Sequence, residues 1–117
     1  MRAMNSDPTD RFNRGLLIGL LIGRASFGGD GKQPQVVIKM DAGRKRLLSW
    51  LVSQVPGSRV FGPYEHRGKK YIQWMVRGKA LRGILIPAIK EADIGKYDLR
   101  MYRRFRKMIR ENFLKCL

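Results

Sequence analysis

Leu16-Leu17-Ile18-Gly19-Leu20-Leu21-Ile22-Gly23-Arg24-Ala25-Ser26-Phe27 is the stretch that decides how this chain of 117 residues folds. Gly15, Gly19 and Gly23 recur every four residues through an apolar run, which places them on one face of a helix. Each weakens that helix by about 1 kcal/mol relative to alanine. The loss is offset where a second helix backbone approaches closely, as in packing through small residues spaced four apart. Arg14 and Arg24 bracket the run, which falls short of the ~20 apolar residues that span a bilayer, so no transmembrane helix is expected. The helix is predicted over residues 8–23, with Asp7 as cap, Pro8 in its first turn and Asp10 as a capping-box carboxylate. Residues 1–6 read as a frayed end.

Phe27-Gly28-Gly29-Asp30-Gly31-Lys32, directly after the run, is a dense turn signal. Residues 35–40 alternate Val36, Ile38 and Met40 against Gln35, Val37 and Lys39, the pattern of a half-buried strand. A short strand beginning near Ser26 completes a hairpin. Asp41-Ala42-Gly43 is expected to open a second helix, with Leu47, Leu48, Trp50, Leu51 and Val55 as its stripe and Pro56-Gly57 as its end. A second hairpin follows, with strands over 60–64 and 69–77 and Glu65-His66-Arg67-Gly68 as the turn. Ile72, Trp74 and Val76 take one side of its second strand; Tyr71, Gln73, Met75 and Arg77 take the other. Both tryptophans are expected in the core, and His66 in water. Residues 79–92 form a third helix that Pro87 kinks or shortens, and Asp93-Ile94-Gly95 breaks the chain again. Residues 98–117 form a basic helix with Leu99, Tyr102, Phe105, Ile109 and Phe113 on one face. The fold class is therefore α+β: an αββαββα unit with a four-stranded antiparallel sheet over residues 1–92, and a basic helical extension over 93–117.

Charge speaks to partners. The net charge of +16 points to nucleic acid first and an anionic membrane surface second. The membrane reading is set aside because the whole chain is basic, not one amphipathic segment. The single Cys116 and single His66 exclude an internal disulfide framework and the usual zinc clusters. Asp7, Asp10, Arg11 and Arg14 precede the apolar run, which argues against a signal peptide and for an intracellular, non-secreted protein.

The apolar run resembles the signature helix of the LAGLIDADG homing endonucleases: Leu17 to Ala25 align with the nine letters of the motif, and Ser26-Phe27 also fits. The resemblance implies the same αββαββα order that periodicity gives. It also implies, for a chain with one motif, a homodimer through Gly15, Gly19, Leu20 and Gly23. The penultimate letter is normally an acid that binds the catalytic metal, and here it is Arg24, followed by Ala25. No catalytic or metal-binding residue is therefore assigned, and Mg²⁺ is expected only if nuclease activity survives. Asp30 lies in a turn away from that helix end. A guanidinium suits phosphate, so Arg24 is a candidate clamp on the backbone; its plain alternative is a favourable cation at a helix C-terminus.

The candidate DNA-binding set is Arg24, Lys32, Gln33, Gln35, Lys39, Arg59, Tyr64, Arg67, Lys69, Tyr71, Gln73 and Arg77. A β-ribbon fits the major groove, where Gln and Arg pair with adenine and guanine edges. Three functions compete. One is a non-cleaving, sequence-specific reader of double-stranded DNA, acting as a transcriptional regulator or repressor on a long near-palindromic site. Another is an RNA-binding intron maturase, which needs no nuclease acid and would use basic surface away from the strands. An active homing endonuclease is the third. The terminal helix is expected to pack and to contact phosphate.

Overall fold

The computed structural model describes residues 8–29 and 33–116, with side chains as far as residue 112. The expectations for residues 1–7, Asp30, Gly31 and Lys32, and for the side chains of Phe113 and Cys116, lie outside the described residues.

Helix α1 (Pro8–Arg24) leads directly into strand β1 (Ser26–Gly29), which hairpins onto β2 (Pro34–Asp41). Helix α2 (Lys45–Gln54) follows, then β3 (Arg59–His66) and β4 (Lys69–Arg77). A third helix, α3, covers residues 78–92 in three parts: Gly78–Ala80, a π turn over Leu81–Leu85, and Ile86–Ala92. A 3₁₀ turn (Ile94–Lys96) then joins it to α4 (Leu99–Cys116). The two hairpins join through β2 and β4 into one antiparallel sheet of order β1-β2-β4-β3.

One face of the sheet is the core. Val36, Ile38 and Met40 of β2 lie opposite Val76, Trp74 and Ile72 of β4, all buried. Leu17, Ile18 and Leu21 of α1, Leu48 and Leu51 of α2, and Leu81, Leu85 and Ile89 of α3 close over them. Burial of this apolar surface, at about 25 cal/mol per Å², is the main driving force for the fold. Met101, Phe105 and Met108 of α4 join the same core, and Phe105 meets Phe27 of β1 edge to face at 6.1 Å.

Several boundaries differ from the sequence expectation. Asp41 ends β2 and accepts the Gly43 N–H through Oδ1 at 2.7 Å, so α2 starts only at Lys45. Glu65 and His66 extend β3, opposite Lys70 and Lys69, and the turn shrinks to Arg67-Gly68. Both turn residues have positive φ, 52° and 79°, the backbone that twists a two-residue hairpin correctly. Pro87 neither breaks nor ends α3. Its ring crowds the carbonyl four residues earlier, and the wider π turn makes that room. On α4 the inward face is Met101, Phe105, Met108 and Asn112, one notch from the expected stripe, and Leu99 stays 52% exposed.

Candidate nucleic-acid interface

The opposite face of the sheet carries no helix. Its residues fall into cross-strand rows fixed by register. Gln35 stands opposite Arg77; Val37, Met75 and Arg59 form the next row; Lys39, Gln73 and Phe61 the next; Asp41, Tyr71 and Tyr64 the fourth. His66 and Lys69 close the grid beside Arg67 in the turn. Rows on one face repeat at about 6.8 Å, twice the strand rise, and neighbouring strands lie about 4.8 Å apart. The result is a lattice of long polar side chains around an apolar centre. Lys39, Arg59, Tyr64, Arg67, Lys69 and Arg77 are exposed, and Gln35, Tyr71 and Gln73 half-buried.

Nine of the expected binding residues thus share one surface or its bordering turn. Of the others, Gln33 lies at the Arg77 end, its Nε2 3.9 Å from where a Cβ on Gly78 would stand. Gln33, Arg59, Phe61, Met75 and Arg77 line a shallow hollow there. Lys32 falls outside the described residues. Val37, Phe61 and Met75 belong to the face but were absent from the expected set; the alternation around Gln35, Gln73 and Arg77 already carried that signal. Asp41 brings an acid to the face, at its far end, turned onto the Gly43 N–H.

Aromatic side chains stiffen that end. The Tyr64 and Tyr71 rings are 5.4 Å apart, and the Lys39 ammonium sits 5.6 Å from the Tyr71 centroid. Tyr64 reaches the open face because β3 bulges between Phe61 and Tyr64. Gly62 makes this possible: its φ is +113°, and a Cβ would meet Ile72 and the Tyr71 carbonyl at 3.1 Å.

Arg24 is the exposed last residue of α1, two positions before Ser26, which lies opposite Val37 on the open face. On α1 the side turned from the core carries Phe12, Gly15, Leu16, Gly19 and Gly23, all exposed, beside half-buried Leu20. A Cβ built on any of these three glycines meets nothing within 4 Å.

The fold is shared with LAGLIDADG homing endonucleases. Solved structures that match include the group I intron-encoded homing endonuclease I-CeuI complexed with DNA (TM-score 0.64, 10% identity, 92% of this chain and 55% of that one). Two more are the meganuclease I-SmaMI bound to uncleavable DNA (0.54, 14%, 88% and 43%) and the I-LtrWI LAGLIDADG homing endonuclease bound to target DNA (0.50, 16%, 93% and 45%). The chain spans about half the length of these proteins. No family model and no curated protein matches the sequence. Among the described residues no helix is long and apolar enough to cross a membrane.

The residues at the end of α1 do not suit a divalent cation. Gly23, Arg24, Ala25 and Ser26 offer no carboxylate, and among the described residues no three His, Cys, Asp or Glu side chains converge.

Proposed function

We propose that this chain is a sequence-specific reader of double-stranded DNA that does not cleave it, and that it acts as a transcriptional regulator on a long near-palindromic site. The observation that carries the reading is the open sheet face. Gln35 beside Arg77 and Lys39 beside Gln73 put base-reading side chains next to phosphate-seeking ones, with no helix in the way. Glutamine and arginine read adenine and guanine edges bidentately in the major groove, while lysine and arginine on the flanks fix the register against phosphates. The solved homing endonucleases of this fold are DNA complexes, which supports the same ligand here.

Two copies pair through the open glycine face of α1, so that two sheets lie along one duplex and the site is two-fold. Exposed Phe12 (67%) and Leu16 (37%) give that contact its apolar surface. Pairing sets two Arg24 side chains near the centre of the bound duplex, where they hold phosphate and leave no acid for a metal.

Selection from random duplex DNA at moderate salt with Mg²⁺ present tests the reading. A long palindromic consensus recovered intact supports it. Cut products at that consensus would restore nuclease chemistry, and weak salt-sensitive binding with no consensus would end the DNA-reader reading and favour RNA.

A further inference from the structure

Helix α4 carries a second concentration of positive charge, on the other side of the molecule. Met101, Phe105, Met108 and Asn112 face the sheet's inner layer and are buried. Arg100, Arg103, Arg104, Arg106, Lys107 and Arg110 are all exposed. At 100° per residue these six cations cover about 160° of the helix, centred opposite the buried face, over about 15 Å of its length. Among the described residues none of Arg100, Arg103, Arg104, Lys107 and Arg110 is paired with a carboxylate, and Arg106 donates only to the Tyr102 hydroxyl, at 3.0 Å. Glu111 is the one acid between residues 99 and 112.

The direction of this face matters as much as its charge. Phe27 lies on the inner side of the sheet, opposite Val36, and it is Phe27 that meets Phe105. Arg103 and Arg110, opposite the buried stripe of α4, therefore point away from the sheet, whereas the grid around Gln73 points the other way. A duplex seated on the grid leaves them untouched. Arg104 and Lys107 form the flank nearest the sheet and share it with Glu111, beside Phe27, Gly28 and Gly29 of β1; Arg103 and Arg110 form the crest, opposite the buried stripe.

We propose that this ridge seats in the major groove of a second segment of double-stranded DNA, so that one chain holds two duplexes at once. The shape selects the ligand. A convex helix with cations on both flanks needs a phosphate strand on either side, and the B-form major groove, about 12 Å wide, admits a helix. The A-form major groove is too deep and narrow. The flanking cations of the ridge contact the phosphate backbone on either side, while the arginines at its crest face the base edges, where arginine pairs with guanine. The inference goes beyond the sheet's role and rests on that reading, since the first duplex is the one the sheet holds.

Capture of a fluorescent duplex by protein loaded on an immobilised duplex tests it. The variant is R103E/K107E/R110E, all exposed positions outside the core, with circular dichroism to confirm the fold. The native chain is expected to capture the second duplex; the variant is expected to lose at least tenfold of that capture while binding a single selected duplex within twofold. The proposal is overturned if the native chain captures none, if the variant captures as much, or if an RNA duplex is captured in place of DNA. It is also overturned if the variant loses single-duplex affinity and salt dependence, since α4 would then touch the same DNA as the sheet. R59A/R77A separates the two readings: single-duplex binding unchanged by it sinks the sheet reading, whereas an α4 variant that keeps its single duplex and loses only the second supports the ridge.

Discussion

Tyr64 and Tyr71 face each other across β3 and β4, ring centroids 5.4 Å apart and planes inclined by 39°, although counting by twos from Arg59 assigns residue 64 to the core side. The extra residue at the Gly62-Pro63 bulge reverses the alternation. Tyr71 also seats the Lys39 ammonium, so it orders two neighbours on the proposed DNA surface. Tyr71→Ala is expected to weaken duplex binding about tenfold, while the fold loses ~1 kcal/mol or less, the scale of a cross-strand aromatic pair. Fluorescence anisotropy and urea titration separate the two effects; equal binding by both proteins would remove Tyr71 from the surface.

Beneath the sheet, the buried Trp74 indole donates to Ser58 Oγ at 2.9 Å, and Ser58 in turn donates to the Val55 carbonyl at 2.7 Å. Ser58→Ala strands the indole N–H in the core. A loss of about 1–3 kcal/mol in unfolding free energy is expected. A midpoint in urea unchanged from the native protein would show that the indole finds another partner.

Arg67 holds a φ of 52° to close the β3–β4 turn. Asparagine takes that backbone conformation at far lower strain, so Arg67→Asn is expected to raise stability by about 0.5–1 kcal/mol. It also deletes a cation beside the proposed DNA face, so affinity is expected to fall as melting temperature rises. A variant that gains both contradicts the placement of Arg67.

Gly19 has open space where a Cβ would stand. Gly19→Leu therefore leaves the monomer fold intact and adds about 1 kcal/mol of helix propensity. Bulk at that place blocks close helix approach, so sedimentation should report monomer in place of dimer. A dimer that persists would move the pairing surface elsewhere.

Arg24→Ala removes one proposed phosphate contact per copy. In a dimer, the slope of log K against log salt is expected to become shallower by about 2. An unchanged slope would assign Arg24 to the helix terminus alone.

Legibility followed burial. The two central strands were readable because one side of each is fully buried, so Val36, Ile38, Met40, Ile72, Trp74 and Val76 keep strict alternation. The edge strand β3 is exposed almost throughout, and nothing in its apolar pattern reveals that His66 still pairs or that a bulge is needed to bring Tyr64 to the same face as Arg59. On α4 two stripes compete. The choice of Met101 and Met108 over Leu99 was set by Phe27 and the inner face of the sheet, partners that are distant in sequence. The candidate site was legible as residue types on alternate positions. What was not legible was the cross-strand row, because register depends on which strands become neighbours.

The uncovered sheet face and the ridge of α4 place positive charge on both sides of a domain with a net charge of +16. The folded chain therefore repels itself, and salt relieves that self-repulsion while it weakens attraction to a polyanion. Ionic strength thus acts in opposite senses on the two equilibria: the medium that best protects the free fold is the one in which it holds nucleic acid least. On the proposed reading, DNA is this chain's counter-ion as well as its ligand, and occupancy and stability are coupled through the same charges.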